Sequence, residues 1–492
     1  MTAPENGPNP ENPPQARQAA GAKTVGAKTS GAGANRDPKP SDEARRLYES
    51  ALEHHRDGRL DQAIKDYARV LRFAPNNADV YNNLGVALRS TGRAEAAVAC
   101  SRRSLGLRPG TAAAYTNLGN ALRDLGQTTR AVEAHRRAVK HDPKSPKTLF
   151  NAALTFRQGG HAKVALEHFN RVVKLEPTYA QCRVERAVTL LQMGDWQRGF
   201  KELDIRFAIN DDDPRREGME TWTGGALQGR TILINYEADE GTAIQFARFA
   251  AVLKRGGATV VMECPPHLKH LLSSSLDISA TVKIGADAPG ADLQVPLLSL
   301  PARLGTQVNT VPEETPYLPV PRIGTSRLEI HPDTRLAIGM AWSSTWNGRA
   351  AKGPKRHGDM MLDDLSELAG IPTLQLFSLE RGAGAGDIAR LGLQPLIQPT
   401  GQTLMDSADM AAAIDQLDLV ICTHSIAAHI AGALGKPVWL LLDTGADWSW
   451  LLDRDDSPWY PTMRIFRRAA SEPWAAVVSR VRQALLDVLK AG

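Results

Sequence analysis

The residues best suited to chemistry follow a short apolar run. Asp418-Leu-Val-Ile-Cys422 leads through Thr423-His424-Ser425 into a helical stretch, Ile426-Ala-Ala-His-Ile-Ala-Gly-Ala-Leu-Gly435. A helix N-terminus carries partial positive charge, and small residues there leave backbone N–H groups open to an anion. Ile426, Ala427 and Ala428 would offer such groups to a diphosphate, with Ser425 capping the helix and touching a phosphate. His429 lies inside the same helix and is either a pocket residue or a satisfied core histidine. A plain capped helix packed on a sheet accounts for the same pattern without a ligand. A second set is Asn83, Asn117 and Asn151, each 34 residues from the next. Every carboxamide offers a donor and an acceptor, so such a row could hold an extended peptide backbone. It could equally brace neighbouring turns. His267 and His270, three apart, could ligate a metal, but no third ligand accompanies them, and no metal site is expected. Trp448, Trp450, Trp459 and Tyr460 could form a platform for a sugar or a base, although packing explains them as well.

The elements that must position these residues are of two kinds. Gly58, Gly92, Gly126, Gly160 and Gly194 are each 34 apart, as are Pro75, Pro109, Pro143 and Pro177, and Ala63, Ala97, Ala131 and Ala165. The glycine ends one helix and permits a tight turn. The alanine lets two helices approach, and the proline closes the second helix. This length and pattern resemble the tetratricopeptide repeat (TPR), which predicts an α-solenoid of about five repeats over 41–213. The fifth repeat is worn, with Gly199 where alanine is due. Asn83, Asn117 and Asn151 fall on the first helix of their repeats, the side that lines the concave face, where a protein or peptide would bind. Residues 1–40 are rich in Pro, Gly, Ala and Asn and are expected to be a disordered tail.

From about residue 226 short apolar runs alternate with helical patterns. Strands are expected at 231–236, 258–263, 281–284, 292–295, 335–342, 373–379, 418–422 and 437–442, and helices at 243–255, 407–416, 425–434 and 473–490. This alternation predicts parallel sheets in Rossmann-like units. A proline-rich stretch, 311–321, separates two halves, 214–322 and 323–492. Ligands in such folds bind in a crevice at the carboxyl ends of the strands.

Composition sets the frame. With 42% apolar and 23% charged residues and a net charge of +5 spread along 492 residues, neither a disordered protein nor a nucleic-acid binder is indicated. No apolar run approaches a membrane span, and Met1 to Pro14 lacks the features of a signal peptide. Cys100, Cys182, Cys264 and Cys422 are far apart, which speaks against disulfides or zinc and fits the cytoplasm.

Residues 226–490 resemble the C-terminal region of bacterial TPR-containing glycosyltransferase-like proteins. These are similar to the heptosyltransferase family (glycosyltransferase family nine) and, more distantly, to the O-linked N-acetylglucosamine transferase. The resemblance is carried by Ile244-Gln-Phe-Ala-Arg248, by Val295-Pro-Leu-Leu-Ser-Leu300, by Ala428-His-Ile-Ala-Gly-Ala-Leu-Gly-Lys-Pro-Val-Trp439 and by Asp447-Trp-Ser-Trp-Leu-Leu-Asp-Arg-Asp-Asp-Ser-Pro-Trp-Tyr-Pro-Thr-Met463. It implies a GT-B fold, with a nucleotide-diphosphate sugar bound mainly by the second half, no further cofactor, and a final helix packed back across both halves. The asparagine row resembles the ladder of the transferase repeat domain. Two signature carboxylates are replaced: Thr242 follows Gly241 where the family has Asp, and His424 stands for the Asp before the phosphate-binding helix. Glu237, Asp239 or Glu240 could serve as base instead, and His424 as base or diphosphate contact. Gly241 and Thr242 would line the donor site. The family uses the loop after the strand at 335–342 near the phosphates, which would make Lys355 and Arg356 anion contacts; a solvated loop accounts for them equally. The resemblance therefore implies a TPR-coupled glycosyltransferase. The competing readings are a non-catalytic TPR adaptor with a degenerate cleft and a scaffold built on the array alone.

Overall fold

A computed structural model describes residues 42–209, 213–323, 326–343, 360–470 and 472–491. The expected tail, 1–40, and the loop with Lys355 and Arg356 lie outside the described residues. The chain divides into two compact units, Met1–Thr155 and Phe156–Gly492.

The first unit contains helix pairs in the expected period: α1 (Asp42–Arg56), α2 (Leu60–Phe73), α3 (Ala78–Ser90), α4 (Ala94–Leu107), α5 (Ala112–Asp124), α6 (Thr128–His141) and most of α7 (Pro146–Gln158). Gly58, Gly92 and Gly126 turn each pair at φ +75°, +78° and +69°, a left-handed conformation that costs side-chain-bearing residues energy. Ala63, Ala97 and Ala131 are buried where the two helices of a pair cross. Tyr67, Val70, Val80, Leu84, Ala87 and Leu122 join them in a continuous apolar core. First helices of successive repeats, α3 and α5, also touch each other.

The second unit begins with α8 (Ala162–Leu175), α9 (Ala180–Gln192) and the short α10 (Trp196–Leu203). Gly199 has a steric reason: a Cβ there would stand 2.6 Å from Leu191 and 3.1 Å from the Ala187 carbonyl. Two wholly parallel sheets follow. The first uses β1 (Glu220–Thr221), β2 (Thr231–Asn235), β3 (Thr259–Cys264), β4 (Ala280–Lys283) and β5 (Leu293–Pro296), in the order β1-β5-β2-β3-β4. The second uses β6 (Leu336–Ala341), β7 (Leu374–Ser378), β8 (Ile397–Gln398), β9 (Leu419–Cys422), β10 (Val438–Leu442) and β11 (Met463–Arg467), in the order β11-β10-β9-β6-β7-β8. The chain thus carries helical TPR repeats followed by an α/β region. Eight of these strands are those expected from the sequence. β1, β8 and β11 were not expected, because the first two span only two residues each and the third alternates with exposed arginine.

Three differences from expectation are observed, and the second and third follow from packing. The stretch expected as one helix over 243–255 forms two, Glu240–Phe246 and Phe249–Arg255. The final helix, Trp474–Ala491, buries Val477, Val478, Val481 and Leu485 in a cluster drawn from the second sheet, so it does not lie across both halves. The compact division falls at Thr155 rather than near 213, because Trp196, Phe200 and Leu203 share one apolar core with the α/β region. No helix of the described residues is long and apolar enough to cross a membrane.

Candidate functional site

Strand order locates the site. In the second sheet the chain leaves β6 toward β7 and β8 on one side and later places β9 on the other. The carboxyl ends of β6 and β9 therefore flank a topological switch point, where open parallel sheets form a crevice. In the first sheet β2 is flanked by β3 and β5, which makes its carboxyl end a second switch point. Thr423-His424-Ser425 emerges from the one and Glu237-Ala-Asp-Glu-Gly-Thr242 from the other.

The two stretches meet. A Cβ on Gly241 would stand 2.6 Å from His429 Cδ2 and 2.8 Å from Nε2, so only glycine allows the helix Glu240–Phe246 to press on the helix Ile426–Ala433. His429 is almost fully buried, and its Nδ1 lies 2.9 Å from the Tyr460 hydroxyl. Its Nε2 has no partner among the described residues. Burial first, then the neighbouring His424 and Arg248, hold its imidazole well below the usual histidine range, which keeps it neutral. His424 is half-buried, with its ring 5.4 Å from His429 and 5.5 Å from Trp450.

Ser425 is extended (φ −146°, ψ 165°) but its side chain makes no cap bond, contrary to expectation. Among the described residues the buried hydroxyl oxygens of Thr423 and Ser425 find no hydrogen-bond partner, the weakly polar Cys422 thiol beside Ser425 apart. Burial pushes that thiol up to about 12. Ile426, Ala427 and Ala428 are all buried. Unpartnered buried polar atoms are costly unless a polar group meets them.

The candidate carboxylates are differently employed. Glu237 accepts two bonds from Arg206, at 3.0 and 2.7 Å, and a third from the Leu298 N–H at 2.7 Å. It ties β2 to the segment after the terminal repeat. Asp239 caps its helix by accepting from Thr242 N at 2.8 Å, while its side chain stays exposed. Glu240 lies 3.4 Å from His267. His270, the second of that pair, bonds Asp406 at 2.8 Å, and among the described residues no group of three His, Cys, Asp or Glu is placed to hold a metal. Ala238, between these residues, has φ +69°, a strained conformation of the kind that gathers at functional sites.

Several residues were not singled out beforehand. Asn235 ends β2 fully buried, with neither amide atom partnered among the described residues; a polar residue closing an apolar strand was the signal available. Arg248 is almost fully buried over the rings of Tyr317, at 4.5 Å, and Tyr460, at 5.2 Å. Glu380, also buried, accepts from the N–H groups of Trp342 and Ser343 at 2.9 and 2.6 Å and so shapes the chain as it leaves β6.

The asparagines belong to the first unit. Asn83 donates to the Tyr48 hydroxyl at 3.1 Å, Asn117 to Asn82 at 2.8 Å, and Asn151 to the Lys147 carbonyl at 2.9 Å while accepting from Asn120 at 3.0 Å. Each carboxamide remains half-exposed, so the row both braces successive first helices and presents polar atoms to solvent.

The close approach gives a direct test. Gly241→Ala is expected to cost about 1–3 kcal/mol by overpacking against His429. Urea unfolding followed by tryptophan fluorescence would show it, and an unchanged midpoint would mean that the two helices do not touch.

Comparison with known proteins bears on the repeats. Three family models match: "TPR repeat" at residues 51–92 and "Tetratricopeptide repeat" at 78–144 and at 116–180. The curated Protein FlbA of Caulobacter vibrioides is 35% identical over 122 residues, which are 24% of this chain. The chain spans only 20% of that relative's length. Among solved structures, a crystal structure of MamA is 20% identical with a TM-score of 0.29, covering 32% of this chain and 92% of that one. YrrB, described as a TPR protein with an unusual peptide-binding site, is 20% identical with a TM-score of 0.30, covering 34% of this chain and 87% of that one. The N-terminal part is therefore made of TPR repeats, a surface suited to binding protein.

Proposed function

We propose that this protein is a TPR-coupled glycosyltransferase of the GT-B type. A nucleotide-diphosphate sugar enters between the two parallel sheets, and the repeats present a protein acceptor. The observation that supports this reading is the contact of Gly241, which follows one switch-point strand, with His429, on the helix that follows the other, whose buried Nε2 has no partner among the described residues. The diphosphate lies toward Ser425 and the start of the helix Ile426–Ala433, where N–H groups stabilise the charge that develops as it leaves. The acceptor hydroxyl passes its proton to His424 or to the exposed Asp239. Its oxygen bonds the sugar carbon as the bond from that carbon to the diphosphate breaks. Glu237 is not the base, since its carboxylate is committed to Arg206. Lys355 and Arg356 join the diphosphate contacts in this reading. The reaction needs neither a metal nor a further cofactor.

The test is calorimetric titration with UDP, ADP, GDP and CDP, and then with their sugars. Saturable binding that is lost in Ala427→Trp supports the assignment. A second reading, a non-catalytic adaptor, draws on Glu237 and Asp239 being spent on an ion pair and a cap. No binding of any nucleotide would make it the better account. For the repeats, replacing Asn83, Asn117 and Asn151 together by Ala is expected to weaken partner capture about tenfold or more, at roughly 0.5–1.5 kcal/mol per lost hydrogen bond. Unchanged capture would remove the ladder from the reading.

A further inference from the structure

The motif 447–463 carries two aromatic pairs, and each pair faces two ways. Trp448 meets Trp196 of the terminal repeat edge-on at 6.4 Å and Phe200 at 5.4 Å. Two residues on, the Trp450 ring lies 5.2 Å from His429 and 5.5 Å from His424. Trp459 stacks on Trp196 at 4.9 Å, with the rings 23° apart. The next residue, Tyr460, holds His429 Nδ1 through its hydroxyl at 2.9 Å. The two turns are tied together by Trp459 Nε1, which donates to the Ser449 carbonyl at 2.9 Å. Phe246 also packs on Trp459, at 5.4 Å, and it ends the helix whose Gly241 presses on His429.

Trp196 is thus the common support of three short paths to His429, of which the one through Trp450 also reaches His424. It is itself held: its Nε1 donates to the Leu191 carbonyl at 3.1 Å, and the neighbouring Gln192 reaches the Ala446 carbonyl at 3.0 Å. Stacked and edge-on rings in a close-packed interior have few alternative placements, so a displaced Trp196 moves its neighbours.

We propose that Trp196 of the terminal repeat is a positioning residue for the cleft. It acts through Trp448–Trp450 and Trp459–Tyr460 to hold His424 and His429 where a ligand entering between the two sheets meets them. The last repeat is then part of the site's foundation as well as the end of a partner-binding array. The proposal rests on the nucleotide-cleft reading only for its binding measurement. The histidine measurement stands without it.

The experiment uses the full chain with 15N-labelled histidine, recording imidazole signals by NMR and UDP affinity by calorimetry. Trp196→Leu is expected to shift the signals of His424 and His429 and to weaken UDP binding about tenfold or more. Trp196→Phe, which keeps an aromatic face, should restore most of both. Leu485→Ala, a fully buried position in the separate cluster of the second sheet, should leave both histidines in place. Should Trp196→Leu fail to fold, Tyr460→Phe keeps the ring and removes one hydroxyl; it is expected to shift His429 and leave His424. Histidine signals that stay fixed in Trp196→Leu, or that move as far in Leu485→Ala, overturn the proposal, as does an unmoved His429 in Tyr460→Phe. If the unaltered chain binds none of UDP, ADP, GDP and CDP, the nucleotide reading falls while the histidine signals still decide the positioning role.

Discussion

A chain cut to residues 214–492 is expected not to fold, whereas residues 156–492 are expected to give a cooperative, monodisperse protein. The first cut removes Trp196, Phe200 and Leu203 from a core they share with Ile232, Phe246, Trp459 and Tyr460. Losing a buried aromatic side chain costs about 3–5 kcal/mol, and losing a buried leucine about 2–5. Together these rival the whole stability of an ordinary domain, about 5–15 kcal/mol. The same cut takes Arg206 from Glu237 and leaves a mostly buried carboxylate unpaired, a loss of about 3–5 kcal/mol for buried pairs. Gel filtration and thermal melting of the two fragments would decide. A well-folded 214–492 would show that the terminal repeat is only an appendage.

The second large effect concerns pH and the repeats. His135 is fully buried on α6, with both ring nitrogens lacking partners among the described residues, and its edge lies 2.5 Å from where a Gly119 Cβ would stand. Burial first, then Arg123 and Arg89, bring its imidazole down to about 3. In the unfolded chain the group titrates near 6.5. Between these values the unfolded state binds a proton that the folded state refuses. Stability is therefore fully present above about pH 6.5 and is lost as pH falls toward 3. At 1.36 kcal/mol per unit, the loss by pH 5 is about 2 kcal/mol. Urea unfolding at pH 7 and pH 5 measures it, and His135→Leu should flatten the difference for the repeat transition. An equal pH dependence in the two proteins would show that His135 is not the titrating group.

Much of the architecture was legible because it rests on local rules. A φ near +75° at Gly58 or Gly92 is a demand made by one residue on its own backbone, and repetition at 34 makes it visible. Buried parallel strands such as Val438–Leu442 are continuous apolar runs, and their ends are marked by turn residues. The pairing of Gly241 with His429 was half legible. Both residues were marked as site residues, but their contact joins positions 188 apart in the chain. The roles of Glu237 and Ser425 were not legible. An acid at a strand end reads as a free base until a guanidinium arrives from the segment after the terminal repeat, and a serine before a helix reads as a cap whether or not its hydroxyl turns inward.

The sequence by itself determined the repeats, eight of the eleven described strands and the glycine turns, because each depends on neighbours within one or two turns of chain. Only the tertiary structure decided where the compact units divide, which carboxylates are already spent, and that the tryptophans of 447–463 join the last repeat to the cleft histidines. Those outcomes depend on which surfaces remain to be covered once the elements exist, and apolar burial has no direction that a linear pattern could record.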